Sequence, residues 1–421
     1  MRTSSMRVKL GAAGLIAAAG QFGGTPASAQ TTPAETAPGT AAPAGTAPAG
    51  NAADQPAAPA TPSPIPYPSM SGPLAFSSTP TKFDAGPLGP VYVTGVGSGL
   101  ALTQTNPTIT DRFNQFDITN GQVMVQKSDG IVQFYAQAGA YSLPSLGTPY
   151  VRAGSATGDF FGPLPEGFIK IAPDDSFSIL AGKLPTLIGY EYSFTFENMN
   201  VERGLLWNQE NVINRGVQGN YTWGPLALSL SLNDGFYSGH YNWLTGSATY
   251  TIDSSNSLSV TAGGNLGTTN VSTLVTPLAQ DNSDIYDLIY TYNAAPWTIT
   301  PYFQYTDVGK NHRLGFGHDA QTYGGAILAN YAFTPNFSLA GRGEIIGSSG
   351  SLADGAPNLL YGPGSSAFSL TVTPTYQEGI FFARAEGSFV DAWGTSSGFA
   401  FGRSGNASTQ FRFLVEAGVI F

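Results

Sequence analysis

From about Leu88 to Phe421 the chain repeats one pattern, segments of about 8 to 13 residues in which apolar and polar side chains alternate. A period of two is that of a pleated strand with one greasy and one polar face. Leu226, Leu228, Leu230 and Leu232 oppose Ala227, Ser229, Ser231 and Asn233, and Leu258, Val260 and Ala262 oppose Ser259, Thr261 and Gly263. Trp297, Ile299, Pro301, Phe303 and Tyr305 likewise oppose Thr298, Thr300, Tyr302, Gln304 and Thr306. Segments of this kind begin near Val91, Phe116, Ile131, Gly167, Phe177, Ile213, Leu226, Asn242, Leu258, Asp284, Trp297, Ala320, Phe337, Ala367, Gly379 and Thr409. They predict about sixteen strands. No helical period of comparable strength appears.

The connections alternate between tight and long. Tight turns are predicted at Lys127–Gly130, Pro173–Ser176, Trp223–Pro225, Asp253–Asn256, Asn293–Pro296, Thr334–Asn336 and Gln377–Gly379, where Pro, Asn, Asp and Gly supply turn geometry. Between them lie eight longer loops. A closed barrel of sixteen strands with both termini on one side requires that division, whereas a soluble sandwich does not. The fold class is therefore all-β, a transmembrane antiparallel β-barrel. Tyr221, Trp223, Tyr250, Tyr292, Trp297, Tyr331, Phe333, Phe337, Tyr376 and Phe381 fall near the short turns, as an aromatic girdle at a membrane surface would. Pro301 and Pro374 donate no ladder hydrogen bond, so a bulge or distortion is expected at each.

The last segment, Thr409–Phe421, sets Phe411, Phe413, Val415, Ala417, Val419 and Phe421 on one face and Gln410, Arg412, Leu414, Glu416, Gly418 and Ile420 on the other. A terminal strand ending on an aromatic residue resembles the signal read by the barrel assembly machinery of bacterial outer membranes, with Phe421 as the signal residue. Such a strand must pair with the first to remove both edges.

Composition changes the picture at the N-terminus. Arg2, Arg7 and Lys9 precede an apolar run from Leu10 to Ala19, and Ala27-Ser28-Ala29 follows. Residues 1–29 thus read as a signal peptide. The run is roughly half the ~20 residues a membrane helix needs. Residues 30–80 are rich in Ala, Pro, Thr and Gly and read as a disordered tether, either a plain spacer or a segment that binds cell wall or a partner. The net charge is −10, and loss of the three N-terminal cations would leave it more acidic, so nucleic acid is not an expected partner. Without cysteine there is no disulfide and no thiolate site.

The polar face of the strands carries Gln133, Gln137, Gln218 and Asn220, and the pairs Arg342 and Glu344, Arg384 and Glu386, and Arg412 and Glu416. Dry burial of so many ions is costly, and a sixteen-stranded barrel is wide enough for an aqueous passage. A water-filled lumen is the expectation, in which these pairs either brace the wall or act on solutes. The third long loop, 186–212, holds Glu191, Glu197, Glu202, Arg203 and Glu210, with Arg215 just beyond. Folded inward, this acidic loop would narrow the lumen opposite the wall arginines. Folded outward, it would lie over the mouth.

The run GKLPTLIGYEYSFTFENMNVERGLLW, followed by NRGVQGNYTWGPLALSLSLNDG, resembles the OmpL-like, porin-2 type β-barrel porin family of Gram-negative outer membranes. The resemblance rests on Gly182, Lys183, Pro185, Gly189, Glu191, Asn198 or Asn200, and Arg203, covers about 50 residues, and elsewhere extends only to the general pattern of strands. It implies passive diffusion of small hydrophilic solutes without a cofactor, and analogy with sixteen-stranded porins implies a homotrimer in outer-membrane lipid. Enzymatic readings find little support. His240, His312 and His318 lie in predicted external loops and match no standard metal site, and Gly95, Gly97 and Gly99 have no helix after them. Two classes stay open: a diffusion channel for ions and sugars, and a structural or adhesive barrel that binds through tether and loops.

Overall fold

The computed structural model describes residues 65–421; the expected signal peptide, 1–29, and residues 30–64 of the expected tether lie outside them. The strands are β1 (Thr81–Asp84), β2 (Pro90–Gln104), β3 (Asn114–Lys127), β4 (Val132–Tyr141), β5 (Glu166–Ile171), β6 (Phe177–Pro185), β7 (Ile213–Trp223), β8 (Leu226–Asn233), β9 (Trp243–Thr251), β10 (Asn256–Asn265), β11 (Ser283–Ala294), β12 (Trp297–Val308), β13 (Ala320–Thr334), β14 (Phe337–Ser348), β15 (Ser366–Glu378), β16 (Phe381–Trp393) and β17 (Thr409–Ile420). From β2 to β17 each strand pairs antiparallel with its sequence neighbour, and β17 returns to β2 from Arg412↔Gln104 to Ile420↔Val96. The sheet is a closed sixteen-stranded barrel. Closure leaves no edge and pairs the backbone polar groups that hydrocarbon could not satisfy.

The seven tight turns and eight long loops fall where the sequence places them. β1 pairs with the start of β2 (Thr81↔Val93 to Asp84↔Pro90), before the contact of β2 with β17 begins. The seam is completed by the last residue: Gly95 N donates to Phe421 O at 2.9 Å and Phe421 N to Gly95 O at 3.0 Å. Gly95 leaves room for the Phe421 ring, since a Cβ on it would lie 2.6 Å from that ring and displace it.

Side-chain alternation produces two surfaces. Leu230, Leu232, Phe303, Phe411, Phe413, Val415 and Phe421 are exposed on the outer wall, while Ser229, Ser231, Gln304, Arg412 and Glu416 are buried inside. Trp223, Tyr221, Tyr250, Trp297, Phe333, Phe337, Tyr376 and Phe381 are exposed beside the short turns, with Trp297, Tyr331, Phe333 and Phe337 in a chain of ring contacts, two edge-on and the last tilted, of centroid spacings 4.6, 4.7 and 5.7 Å. Pro301 and Pro374 make no register shift. The β11–β12 pairing breaks between Ile289↔Tyr302 and Tyr292↔Ile299, and the β15–β16 pairing between Val372↔Gly387 and Thr375↔Arg384, in unchanged register. The missing donor costs the ladder a step without forcing an extra residue into it. Bulges occur instead at Ser98/Gly99 and Ala332/Thr334.

The interior differs from the expected open lumen. Arg342, Arg384, Arg412, Glu202 and Glu416 are each at most 1 % exposed. The wall residues among them are covered by the 186–212 loop, to which Glu202 belongs, and the buried cluster beneath includes Phe194 and Phe196 of that loop with Met124, Tyr135, Phe168 and Leu180 of the wall. Tyr67 and Leu74 belong to the same cluster. Residues 65–77, assigned by composition to the tether, are therefore seated at the short-turn end of the barrel, because their apolar side chains find partners there.

Candidate functional site

The 186–212 loop leaves β6 and enters β7 at a pinched base. Thr186 N donates to Val212 O at 3.2 Å, and the Thr186 hydroxyl to Asn211 Oδ1 at 2.6 Å. Gly189 has φ +81°, and a Cβ there would run into the Glu210 carboxylate. Only single 3₁₀ turns, Thr195–Glu197 and Trp207–Gln209, break the irregular path. Most of the loop's backbone donors and acceptors must therefore find partners elsewhere.

Those partners are the charged groups of the wall, and the signs are complementary. Glu344 on β14 accepts from Leu205 N at 3.0 Å and Leu206 N at 3.4 Å, and Glu386 on β16 from Val201 N at 2.5 Å and Glu202 N at 3.0 Å. Wall carboxylates thus hold loop amides. Wall guanidiniums hold loop oxygens: Arg342 Nη1 lies 2.5 Å from Glu191 Oε1 and 2.8 Å from Glu202 O, and Arg412 Nη1 lies 2.7 Å from Glu202 Oε1. Arg384 donates to Thr195 O at 2.8 Å and Asn198 O at 3.1 Å, while its Nη2 pairs with Glu416 at 2.5 Å. Glu416 also accepts from the Thr195 hydroxyl at 2.8 Å. Arg412 extends the network to the second long loop through Ser145 O at 2.7 Å and Thr148 O at 2.5 Å. Gly204 permits the approach, since a Cβ there would collide with the Glu344 carboxylate.

Nine of the twelve charged residues singled out in the sequence meet in this network or border it: Glu191, Glu202, Arg203, Arg342, Glu344, Arg384, Glu386, Arg412 and Glu416. Arg203 is buried, with no ion-pair partner among the described residues; its guanidinium carbon is 5.1 Å from the Trp207 ring, and burial lowers its pKa to about 10. Glu197 pairs with no arginine among the described residues; its carboxylate accepts from Phe194 N at 2.8 Å, and burial pushes its pKa well up. Burial raises Glu191 too, partly offset by the Arg342 charge. Arg215 lies apart, paired with Asp234 at 2.7 Å and 4.0 Å from the Tyr237 ring centroid.

Glu210 belongs to a second cluster that sequence reasoning missed. It accepts from the Tyr302 hydroxyl and from Gln304 Nε2 at 2.9 Å, beside Asp287, whose Oδ2 accepts from Gly189 N at 2.9 Å. Burial, then the Asp287 charge, pushes the Glu210 pKa well up. Asp287, Tyr302 and Gln304 were recoverable from alternation, which puts all three on the inner face; nothing in the pattern linked them to the loop. Among the described residues, no three His, Asp or Glu side chains gather as a metal site would need.

A closed sixteen-stranded antiparallel barrel with an apolar outer wall, an aromatic girdle and a long loop bound to charged inner residues defines a porin-like outer-membrane barrel. The chain belongs to the family described as "Putative beta-barrel porin-2, OmpL-like", which matches residues 91–421. Solved structures share the fold at low identity. Salmonella typhi OmpF matches with a TM-score of 0.53 and 12% identity over 79% of this chain and 98% of its own. OmpT, an outer membrane protein of Vibrio cholerae, matches at 0.52 and 10% over 80% and 98%, and the anion-selective porin from Comamonas acidovorans at 0.51 and 11% over 79% and 99%. A trimer form of the Vibrio cholerae protein also matches, at 0.50 and 9% over 79% and 99%. No curated protein matches the sequence.

Proposed function

We propose that the protein is a porin through which small hydrophilic solutes, ions and sugars, diffuse passively, with the acidic 186–212 loop as the constriction. The observation that carries this reading is the loop's attachment, from Glu191 to Glu202, to arginines on β14 and β17. A loop held by ion pairs inside a barrel wide enough for water narrows a passage and imposes a transverse field on it. Export through a cleaved signal peptide, recognition of Phe421 by the assembly machinery and assembly as a homotrimer in outer-membrane lipid belong to the same reading. The test is planar-bilayer conductance with reversal potential under a salt gradient, for the wild type and for Glu191→Gln/Glu202→Gln. Channel steps whose size rises and whose selectivity turns toward anions in the variant support it.

The burial of the wall charges favours a second reading, a barrel whose work is structural or adhesive. Folded, inserted protein of both kinds that gives no steps, even after substitution within residues 65–77 at the short-turn end, decides for that reading.

A further inference from the structure

The short-turn end of the barrel is occupied by a segment without a single charged side chain, Ile65–Ser77 (IPYPSMSGPLAFS). It is held at three places. Tyr67 lies between Tyr135 on β4 and Phe168 on β5, with ring centroids 5.4 and 5.0 Å away, while its backbone N donates to Gln126 Oε1 at 3.3 Å and its carbonyl accepts from Gln126 Nε2 at 2.5 Å. Further round the rim, across β2, β17 and β16, Ala75 exchanges two backbone hydrogen bonds with the Gln377 side chain of β15, at 2.9 and 2.8 Å. Between these anchors the segment touches the 186–212 loop itself. Ser71 N and Gly72 N both donate to Glu197 O, at 2.7 and 3.1 Å, and Phe76 meets Phe196 edge-on at 6.0 Å. A Cβ at position 72 would collide with the carbonyl of Asn198, so only glycine fits against the loop.

We propose that residues 65–77 form an autoinhibitory plug that enters from the periplasmic side, covers the lumen and keeps the 186–212 loop docked. The inference rests on the porin reading above. Three features point to a removable element and not to part of the wall. The segment adds no strand to the barrel; its amides bond to side chains and to a loop carbonyl, and the barrel ladder is complete without it. Its binding side chains, Tyr67, Leu74 and Phe76, are spaced along a stretch with prolines at 66, 68 and 73, which resists joining a ladder. Upstream run residues 30–64, almost all Ala, Pro, Thr and Gly, whose composition suits a chain by which the plug is withdrawn. Because the seat and the loop share the Glu197 carbonyl, withdrawal frees both the mouth and the loop's underside.

The test uses the full chain in planar bilayers, with folding checked by heat-modifiable migration on gels. Gly72→Val and Tyr67→Ala should each raise open probability several-fold over wild type without altering the folded band. Because the chain has no cysteine, Ser71→Cys/Asn198→Cys introduces the only thiols; the oxidised protein should stay closed and reductant should restore opening. If both single variants conduct as the wild type does, and the oxidised pair conducts too, the plug is refuted and the porin reading stands. If no variant conducts, with or without reductant, both fall together.

Discussion

Arg384 and Glu416 pair at 2.5 Å with neither side chain exposed, and Arg384 also holds two loop carbonyls. Removing one member of a buried pair leaves an uncompensated ion, at a cost of about 3–5 kcal/mol, whereas replacing both with apolar residues costs much less. Glu416→Gln should therefore lower the denaturant midpoint of the refolded barrel markedly, and Arg384→Met/Glu416→Met should lower it by less than the sum of the two single changes. Equal or additive losses would assign the stabilisation to the surrounding hydroxyls instead. At the seam, Gly95→Val forces the Phe421 ring off its site. The expected outcome is a smaller folded fraction after refolding into detergent, read from the shifted gel band. A Val at Gly219, where a Cβ meets nothing within 4 Å, is the control that should leave it unchanged.

The loop is the element whose docking is expected to depend on pH. Glu197 and Glu210 have pKa values raised above 4.5 by burial when docked, and Glu210 faces Asp287, Tyr302 and Glu191. A docked carboxyl with a raised pKa binds its proton more tightly than a released one. Docking is thus fully supported below the ordinary carboxyl range and weakens as pH rises from there through the raised values. Amide exchange in 186–212 should accelerate between acid and neutral pH, and Glu197→Gln/Glu210→Gln should flatten that dependence. An exchange profile that falls with pH after correction for intrinsic rates contradicts it. The strands themselves were legible: predicted starts at Ile213, Leu226, Trp297, Ala320, Phe337 and Thr409 coincide with the observed ones. Alternation has a period of two and survives any tertiary context that keeps one face in lipid. The loop has no period, so its residues were nameable as acidic but their partners were not. Glu191 could equally have met Arg384; the backbone path brought it to Arg342.

At the scale of the whole molecule, the outer wall and the filled interior make opposite demands. Leu230→Arg puts a charge on the lipid face, at a cost of about 2–4 kcal/mol near the membrane midplane. Folding titrations in lipid vesicles should register that loss. Leu230→Phe should fold as the wild type does. Sequence by itself determined the strand number, the division into short turns and long loops, the two faces and the closing role of the last strand, because each follows from local periodicity and from the rule that no backbone polar group is left unpaired in hydrocarbon. Tertiary structure alone decided what fills the barrel. The wall charges that alternation assigned to water are instead bound to the 186–212 loop, and residues 65–77 are drawn from an unpatterned tether into the mouth. Both outcomes depend on irregular backbone meeting side chains distant in sequence, from 59 residues for Tyr67 and Gln126 to 302 for Ala75 and Gln377, and no local pattern in a sequence records such meetings.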